Sequence, residues 1–197
     1  MNIVERVKRI LVSPSTEWPV IAAETTPAAA LITGYVVPLA ALSAVATFIG
    51  QSIVGISLMG TTYRTPIATG IAMAIWGMVM AVAGVFICAY IINAFAPTFG
   101  ATKSDSQALK VAAYSFTPVW VAGVLNILPP LSPLGIIGAL YALYLLYLGL
   151  GIVMKTPDDK TVGYTAVVAL VTVVAVFVIA AIGGMLLGAA ALSGNPY

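Results

Sequence analysis

The chain has 197 residues, of which 61% are hydrophobic and only 7% are charged. A soluble domain carries roughly 25% charged residues, so this composition leaves too little polar surface to cover a water-soluble fold. The alternating ten-residue pattern of a membrane barrel is absent. We therefore predict an integral membrane protein of the helical class.

Four long stretches without charged side chains predict the membrane spans, because a helix needs about 20 apolar residues to cross the hydrocarbon core. The third stretch contains Leu128-Pro-Pro-Leu-Ser-Pro133, which no helix can cross, and it therefore holds two spans. The predicted fold is all-α, a polytopic bundle of five transmembrane helices. The spans are predicted at about 27–55, 67–93, 105–128, 134–154 and 157–188.

The first 24 residues form a segment of their own before the membrane domain, 25–197. In Met1–Val12 apolar residues recur at helical spacing and charged residues occupy the other face, which is typical of an amphipathic interfacial helix. We expect its cations, including Arg6, to be available to anionic lipid on the cytoplasmic leaflet, or the helix to bind a partner protein. Ser13-Pro14 is predicted to begin a second short helix, with Trp18 at the level of the lipid headgroups. The segment lacks the apolar core of a signal peptide.

The basic residues indicate the orientation of the five spans. Seven of the eight Lys and Arg fall on the side of the N terminus, and Arg64 alone falls on the other side. The positive-inside rule then predicts a multi-pass protein of the inner, cytoplasmic membrane, with a cytoplasmic N terminus and Tyr197 outside. The seven are Arg6, Lys8, Arg9, Lys103, Lys110, Lys155 and Lys160.

The densest group of charges lies between the fourth and fifth spans. There Thr156-Pro-Asp-Asp159 matches a capping box, which predicts Thr156 as the helix cap and Pro157 as the first helical residue. Asp158 and Asp159 then lie at the positive end of the helix dipole. Ser104-Asp-Ser-Gln107 has the same pattern before the third span. Together with Lys160, the loop is also a candidate docking surface for a cytoplasmic partner. A catalytic carboxylate pair is least favoured, because no metal-ligand set accompanies it.

Polar side chains are also predicted inside the membrane, although we expect no Asp, Glu, Lys, Arg or His there, which argues against a proton-coupled carrier. Their arrangement fits either internal hydrogen bonds between helices or a polar cavity between the third and fourth helices for a lipid headgroup or small solute. Pro118 and Pro38 are expected to kink the third and first helices by freeing the carbonyls of Tyr114 and Gly34. The candidate cluster is Tyr114, Thr117, Asn126 and the stripe Tyr141, Tyr144 and Tyr147.

Five stretches of the chain carry a family resemblance. They are Ala113-Tyr-Ser-Phe-Thr-Pro118, Ile127-Leu-Pro129, Leu140–Gly149, Lys155–Lys160 and Gly163-Tyr164. With these stretches the chain resembles bacterial members of the Yip (Ypt-interacting protein) family of membrane proteins. The resemblance implies five membrane helices, a cytoplasmic N terminus and no catalytic activity. Eukaryotic relatives bind Rab-type GTPases, but the chain lacks their long N-terminal domain and their Asp-Leu-Tyr-Gly-Pro motif, which argues against Rab binding.

These observations predict a non-enzymatic protein without a metal or cofactor, since the chain has one Cys and no His. We expect it to act as a scaffold, accessory subunit or trafficking-like factor through contacts with membrane lipids and with other membrane proteins or copies of itself. No nucleic acid is expected to bind. The alternative is a passive carrier or channel for a small solute or lipid. A water-lined cavity that reaches the middle of the bundle favours the carrier, and a sealed apolar bundle favours the scaffold.

Overall fold

The computed structural model describes residues 2–58 and 60–193, with side chains for residues 2–57 and 60–181. Two short helices, α1 (Ile3–Val12) and α2 (Pro14–Ala23), precede the membrane spans. Asn2 caps α1, because its side-chain oxygen accepts a hydrogen bond from the amide of Val4. The C terminus at Tyr197, predicted to be external, lies outside the described residues.

Five helices are long and apolar enough to cross a membrane, which confirms the predicted all-α five-helix bundle. They are α3 (Ala28–Val54), α4 (Ile67–Phe95), α5 (Asp105–Ile127), α6 (Pro129–Ile152) and α7, whose apolar part is Asp158–Ala181 and which continues to Ser193. The fourth span begins earlier than predicted. Its first turn is the 3-10 helix Pro129–Leu134, since prolines fit a first helical turn, where no N–H donor is needed.

A short β-hairpin that the sequence did not predict joins α3 to α4. Strand β1 (Ile56–Leu58) pairs antiparallel with β2 (Thr61–Tyr63). Gly55 and Gly60 flank and turn the hairpin with φ of 86° and 81°, a region that favours glycine. This end of the bundle is called the hairpin end. The opposite end, with the loops 96–104 and 153–157, is called the basic end.

Helix α5 lies at the centre of the bundle and contacts α3, α4 and α6. Two glycines allow its neighbours to approach closely. A Cβ added at Gly50 of α3 would lie 1.8 Å from the carbonyl oxygen of Asn126, and one at Gly138 of α6 would lie 2.7 Å from that of Pro118. The central position of α5 places its polar side chains between helices.

Prolines interrupt α3 and α5, and the two helices accommodate them differently. Before Pro38, α3 widens into a π-helical turn (Ile32–Val36), and the amide of Val37 bonds the carbonyl of Ile32. Before Pro118, α5 breaks between Ser115 and Thr117. Both changes follow from the missing N–H donor of proline and from the clash of its ring with the preceding turn.

The two N-terminal helices are built into the bundle, and the expectation that Arg6 is available to lipid is wrong, because Arg6 is only 5% exposed. Trp18, predicted at the level of the lipid headgroups, is fully buried within the protein. It packs against Gly149 of α6 and lies edge-on to Tyr114, with ring centres 6.3 Å apart. Its burial anchors α2 to α6.

Candidate functional site

Four ionisable side chains, named here the N-terminal charge cluster, meet where α1 and α2 pack on the bundle. They are Arg6, Glu17, Glu24 and Lys110. The Nη1 atom of Arg6 donates to the Glu17 carboxylate at 2.5 Å, and its Nη2 atom donates to that of Glu24. Glu17 is 3% exposed, so the pair is shielded from solvent. The guanidinium also lies 5.5 Å from the ring centre of Tyr114, within cation–π range.

Lys110 holds the C-terminal end of α2 in the same cluster. Its ammonium donates to the carbonyl of Ile21 at 3.1 Å and to that of Glu24, and Gln107 donates to the carbonyl of Ala22 at 3.0 Å. These carbonyls belong to the last turn of α2, where a cation also meets the negative end of the helix dipole. Lys110 is buried in the second turn of α5, towards the basic end of the bundle.

The cluster is electrically balanced, with two cations and two carboxylates. Burial disfavours the guanidinium, but its hydrogen bond to Glu24 and the nearby carboxylates raise the pKa of Arg6 above its usual value. Arg6 is therefore a cation at every accessible pH. A balanced, bonded cluster supplies structure rather than a free charge, because an unpaired buried ion would cost several kcal/mol.

Tyr35 of α3 closes the site behind the cluster. Its hydroxyl and that of Thr117 are 2.8 Å apart, and its ring centre is 4.7 Å from that of Tyr114. A cavity of about 330 Å³ lies in front of these rings, and Arg6 and Glu24 supply its charged walls. Thr117 is fully buried, so its hydrogen bond is protected from water.

The predicted intramembrane polar cluster is not one site. Tyr114 and Thr117 belong with Tyr35, whereas Asn126 lies near the hairpin end, where its amide donates to the Thr47 hydroxyl at 3.1 Å. Tyr141 donates to the carbonyl of Leu11 at 2.8 Å and so ties α6 to the last turn of α1.

The three tyrosines of the stripe on α6 do not share one environment. Tyr144 and Tyr147 are 46% and 38% exposed and face away from the bundle. A three-residue step advances about 300° around a helix, so a run of three such positions turns progressively away from one neighbour. An outward tyrosine suits the membrane–water interface, where its ring is apolar and its hydroxyl is hydrated.

At the basic end, the prediction that Thr156 caps α7 is wrong. Its hydroxyl donates to the carbonyl of Leu150 at 2.7 Å and so closes α6. Pro157 takes the cap position, since its carbonyl accepts the first bonds of α7, from Lys160 at 3.0 Å and Thr161 at 3.1 Å. The sharp turn at Lys155, with φ of 54°, directs the Thr156 side chain back towards α6.

Exposed charges surround this turn. Asp158 and Asp159 occupy the first turn of α7, and both are exposed, as is Lys160. The neighbouring loop is fixed to the turn, because the amide of Thr102 donates to the carbonyl of Met154 at 2.8 Å. The ring of Phe99 stacks on that of Tyr164 at 4.8 Å between centres and so holds this loop to α7. Ser104 caps α5 as its pattern predicts, accepting from the amide of Gln107 at 3.4 Å.

The hairpin end contains the larger of the polar cavities, about 800 Å³ in volume. Gln51, Asn126 and Arg64 supply polar groups to its wall, and Arg64 donates to the carbonyl of Val54 at 3.4 Å. A smaller groove of about 200 Å³ lies next to it, between α3 and α4. Across the described residues, no three His, Cys, Asp or Glu side chains lie close enough together to hold a metal ion.

Glu17, Glu24 and Tyr35 are site residues that the sequence prediction missed. The available signal was the seven-residue spacing of Glu17 and Glu24, which places two acids on one helical face next to an apolar span. Their partner Arg6 is eleven positions before Glu17, and only the turn between α1 and α2 brings it into contact.

Five apolar helices with an N-terminal helical pair packed among them define a polytopic helical membrane protein. The Yip1 domain model matches residues 8–193, and the chain therefore belongs to the Yip1 family, which confirms the resemblance seen in its motifs. Comparison with curated proteins and with solved structures gave no match.

Proposed function

We propose that this Yip1-family protein is a non-enzymatic scaffold or accessory subunit that acts through contacts with other membrane proteins and with lipids. One contrast carries the proposal. The charges of the N-terminal charge cluster are bonded within the chain, whereas those of Asp158, Asp159 and Lys160 are exposed on the first turn of α7, next to a fixed loop. A rigid charged surface loses little entropy when it binds a partner, so it suits specific docking.

We place the protein in the inner membrane, with this charged surface in the cytoplasm and the hairpin end outside the cell membrane. The distribution of Lys and Arg supports it, since Lys103, Lys155 and Lys160 all lie at the basic end and Arg64 lies at the hairpin end. A partner that reads the loop is then a cytoplasmic protein or the cytoplasmic part of another membrane protein.

The presence of cavities makes a carrier the second candidate function. However, their positions along α3 argue against an open path through the bundle. On α3, the cavity beside Arg6 reaches Tyr35, and the groove between α3 and α4 ends at Ala40. Between them Val36 and Leu39 are buried, at 0% and 7% exposure.

Site-specific photo-crosslinking in native membranes tests the docking role. A photoreactive residue at Lys160 is expected to give discrete protein adducts that weaken when Asp158→Asn and Asp159→Asn are introduced together. The matched control is a photoreactive residue at Ile136, which is 66% exposed at the hairpin end. Adducts at Lys160 that are unchanged by the two substitutions contradict docking through this loop.

A flux measurement separates the two candidate functions. Liposomes that contain the purified protein are expected to release small dyes and ions no faster than protein-free liposomes. Saturable release that requires the protein contradicts the scaffold and supports the carrier.

A further inference from the structure

The cavity at the hairpin end and the groove in the bundle are adjacent. Thr47 and Gln51 of α3 line both. The cavity has the charged side chain of Arg64 on its wall, whereas the groove between α3 and α4 has no charged side chain and reaches Ala40, Ala81 and Trp120. A cation beside a groove lined mainly by apolar residues fits an amphipathic molecule.

Arg64 is the single charged side chain on the wall of the cavity. The chain has no Asp or Glu between Glu24 and Asp105 or between Lys110 and Asp158, so no carboxylate side chain from α3, α4 or the α5–α6 turn faces it. Its Nε atom donates to the Val54 carbonyl at 3.4 Å, and its terminal nitrogens make no hydrogen bond to the residues that the structure describes. A guanidinium in this position binds phosphate oxygens well, because its donors match their geometry.

The groove has the length of one acyl chain in one leaflet. On α3 it runs from Gln51 to Ala40 and on α4 from Gly70 to Ala81. Eleven residues span about 16 Å at the helical rise, and half of a 30 Å hydrocarbon core is about 15 Å. A Cβ at Gly77 would meet nothing within 4 Å, so the groove is open at this point.

We propose that the hairpin end binds one anionic phospholipid, with its headgroup phosphate at Arg64 and one acyl chain in the groove between α3 and α4. Both headgroups carry the phosphate, but the choline cation of a zwitterionic headgroup is repelled by the guanidinium of Arg64, which favours the anionic one. The groove distinguishes a lipid from a free phosphate compound, because a soluble anion gains nothing from an apolar slot 16 Å long. This site is independent of the partner contacts proposed above, which lie at the opposite end.

Native mass spectrometry of the full chain in non-ionic detergent tests the site. The probes are phosphatidylglycerol and phosphatidylcholine with identical acyl chains, and glycerol 3-phosphate as the free anion. Phosphatidylglycerol is expected to bind at one molecule per chain and about tenfold more tightly than phosphatidylcholine, because Arg64 repels the choline cation. Glycerol 3-phosphate is expected not to bind measurably.

Two variants test the headgroup contact and the acyl-chain contact independently. Arg64→Gln is expected to abolish the preference for phosphatidylglycerol, and its control, Lys103→Gln, removes an exposed cation from the other end and leaves the preference intact. Gly77→Leu fills the groove and is expected to weaken both lipids. Its control is Gly135→Leu, since a Cβ there also meets nothing within 4 Å.

Three results overturn the proposal. They are equal binding of the two lipids by the unaltered chain, a preference that persists in Arg64→Gln, and glycerol 3-phosphate binding that competes with lipid. The last result assigns the cavity to a soluble anion instead. Arg64 is exposed, so its substitution leaves the fold intact and the test stands even if Gly77→Leu misfolds.

Discussion

The Nη1 atom of Arg6 donates to the Glu17 carboxylate at 2.5 Å, joining two helices across eleven positions of sequence. Both side chains are buried, and the second arm of Arg6 reaches Glu24. The contact fixes the turn between α1 and α2, and the two helices pack against α5 and α6. An amphipathic segment is thereby converted from a surface element into part of the bundle.

Breaking the Arg6 pair is expected to destabilise the fold strongly. Arg6→Met leaves Glu17 buried without a partner, which is expected to cost about 3 kcal/mol of unfolding free energy. Adding Glu17→Met is expected to recover part of this loss. The control is Arg9→Met, whose partner Glu5 is half exposed, with an expected cost below about 1 kcal/mol. Denaturation in detergent measures all three, and equal losses for Arg6→Met and Arg9→Met contradict the role of the buried pair.

Removing the Lys110 ammonium is expected to loosen the end of α2. Lys110→Met leaves the carbonyls of Ile21 and Glu24 without their donor, so amide hydrogen exchange should accelerate in α2 and the residues that follow it. Exchange in α4 should not change. Lys103→Met removes an exposed cation and serves as the control. Unchanged protection of α2 in Lys110→Met shows that packing alone holds this end.

Removal of the hydroxyl is expected to change the stability of the protein at one of the three tyrosines of α6 but not at the other two. Tyr141→Phe loses the bond to the Leu11 carbonyl and is expected to cost about 0.6 kcal/mol, with a maximum near 1.7 kcal/mol. Tyr144→Phe and Tyr147→Phe keep their outward rings and are expected to have the unfolding temperature of the unaltered protein. A loss for either of them as large as that for Tyr141→Phe contradicts the division of the stripe.

The turn before α7 is expected to depend on the Thr156 hydroxyl more than on its acidic neighbours. Thr156→Val keeps the side-chain volume but removes the donor to the Leu150 carbonyl, with an expected cost of about 1 kcal/mol. Replacing Asp158 and Asp159 with Asn should cost less, and less again in high salt, because exposed charges at a helix end are screened. Thermal unfolding at two salt concentrations distinguishes these effects.

The sidedness of the bundle is expected to follow the basic residues. In a Cys88→Ser background, a membrane-impermeant thiol reagent should label Thr62→Cys in intact cells and Lys103→Cys only after the cells are opened. Thr62 belongs to the hairpin and is expected to react from outside. Labelling of both positions from one side contradicts the predicted number of crossings between them.

The sequence by itself determined the membrane class, the five spans and the cap at Ser104. These features are local, because a long uncharged stretch must become a helix in hydrocarbon, where no water satisfies its backbone. The break at Pro118 is equally local, since proline lacks the amide that a continuous helix requires.

Only the tertiary structure decided how the polar groups are used. Arg6 meets Glu17 and Glu24 because α2 turns back along α1, and Lys110 is buried because α2 ends beside it. Arg64 borders a lipid-sized space only where the hairpin, α3 and the α5–α6 turn converge. Each of these contacts joins residues far apart in the chain, and local pattern fixes the face of a helix but not which neighbour covers it.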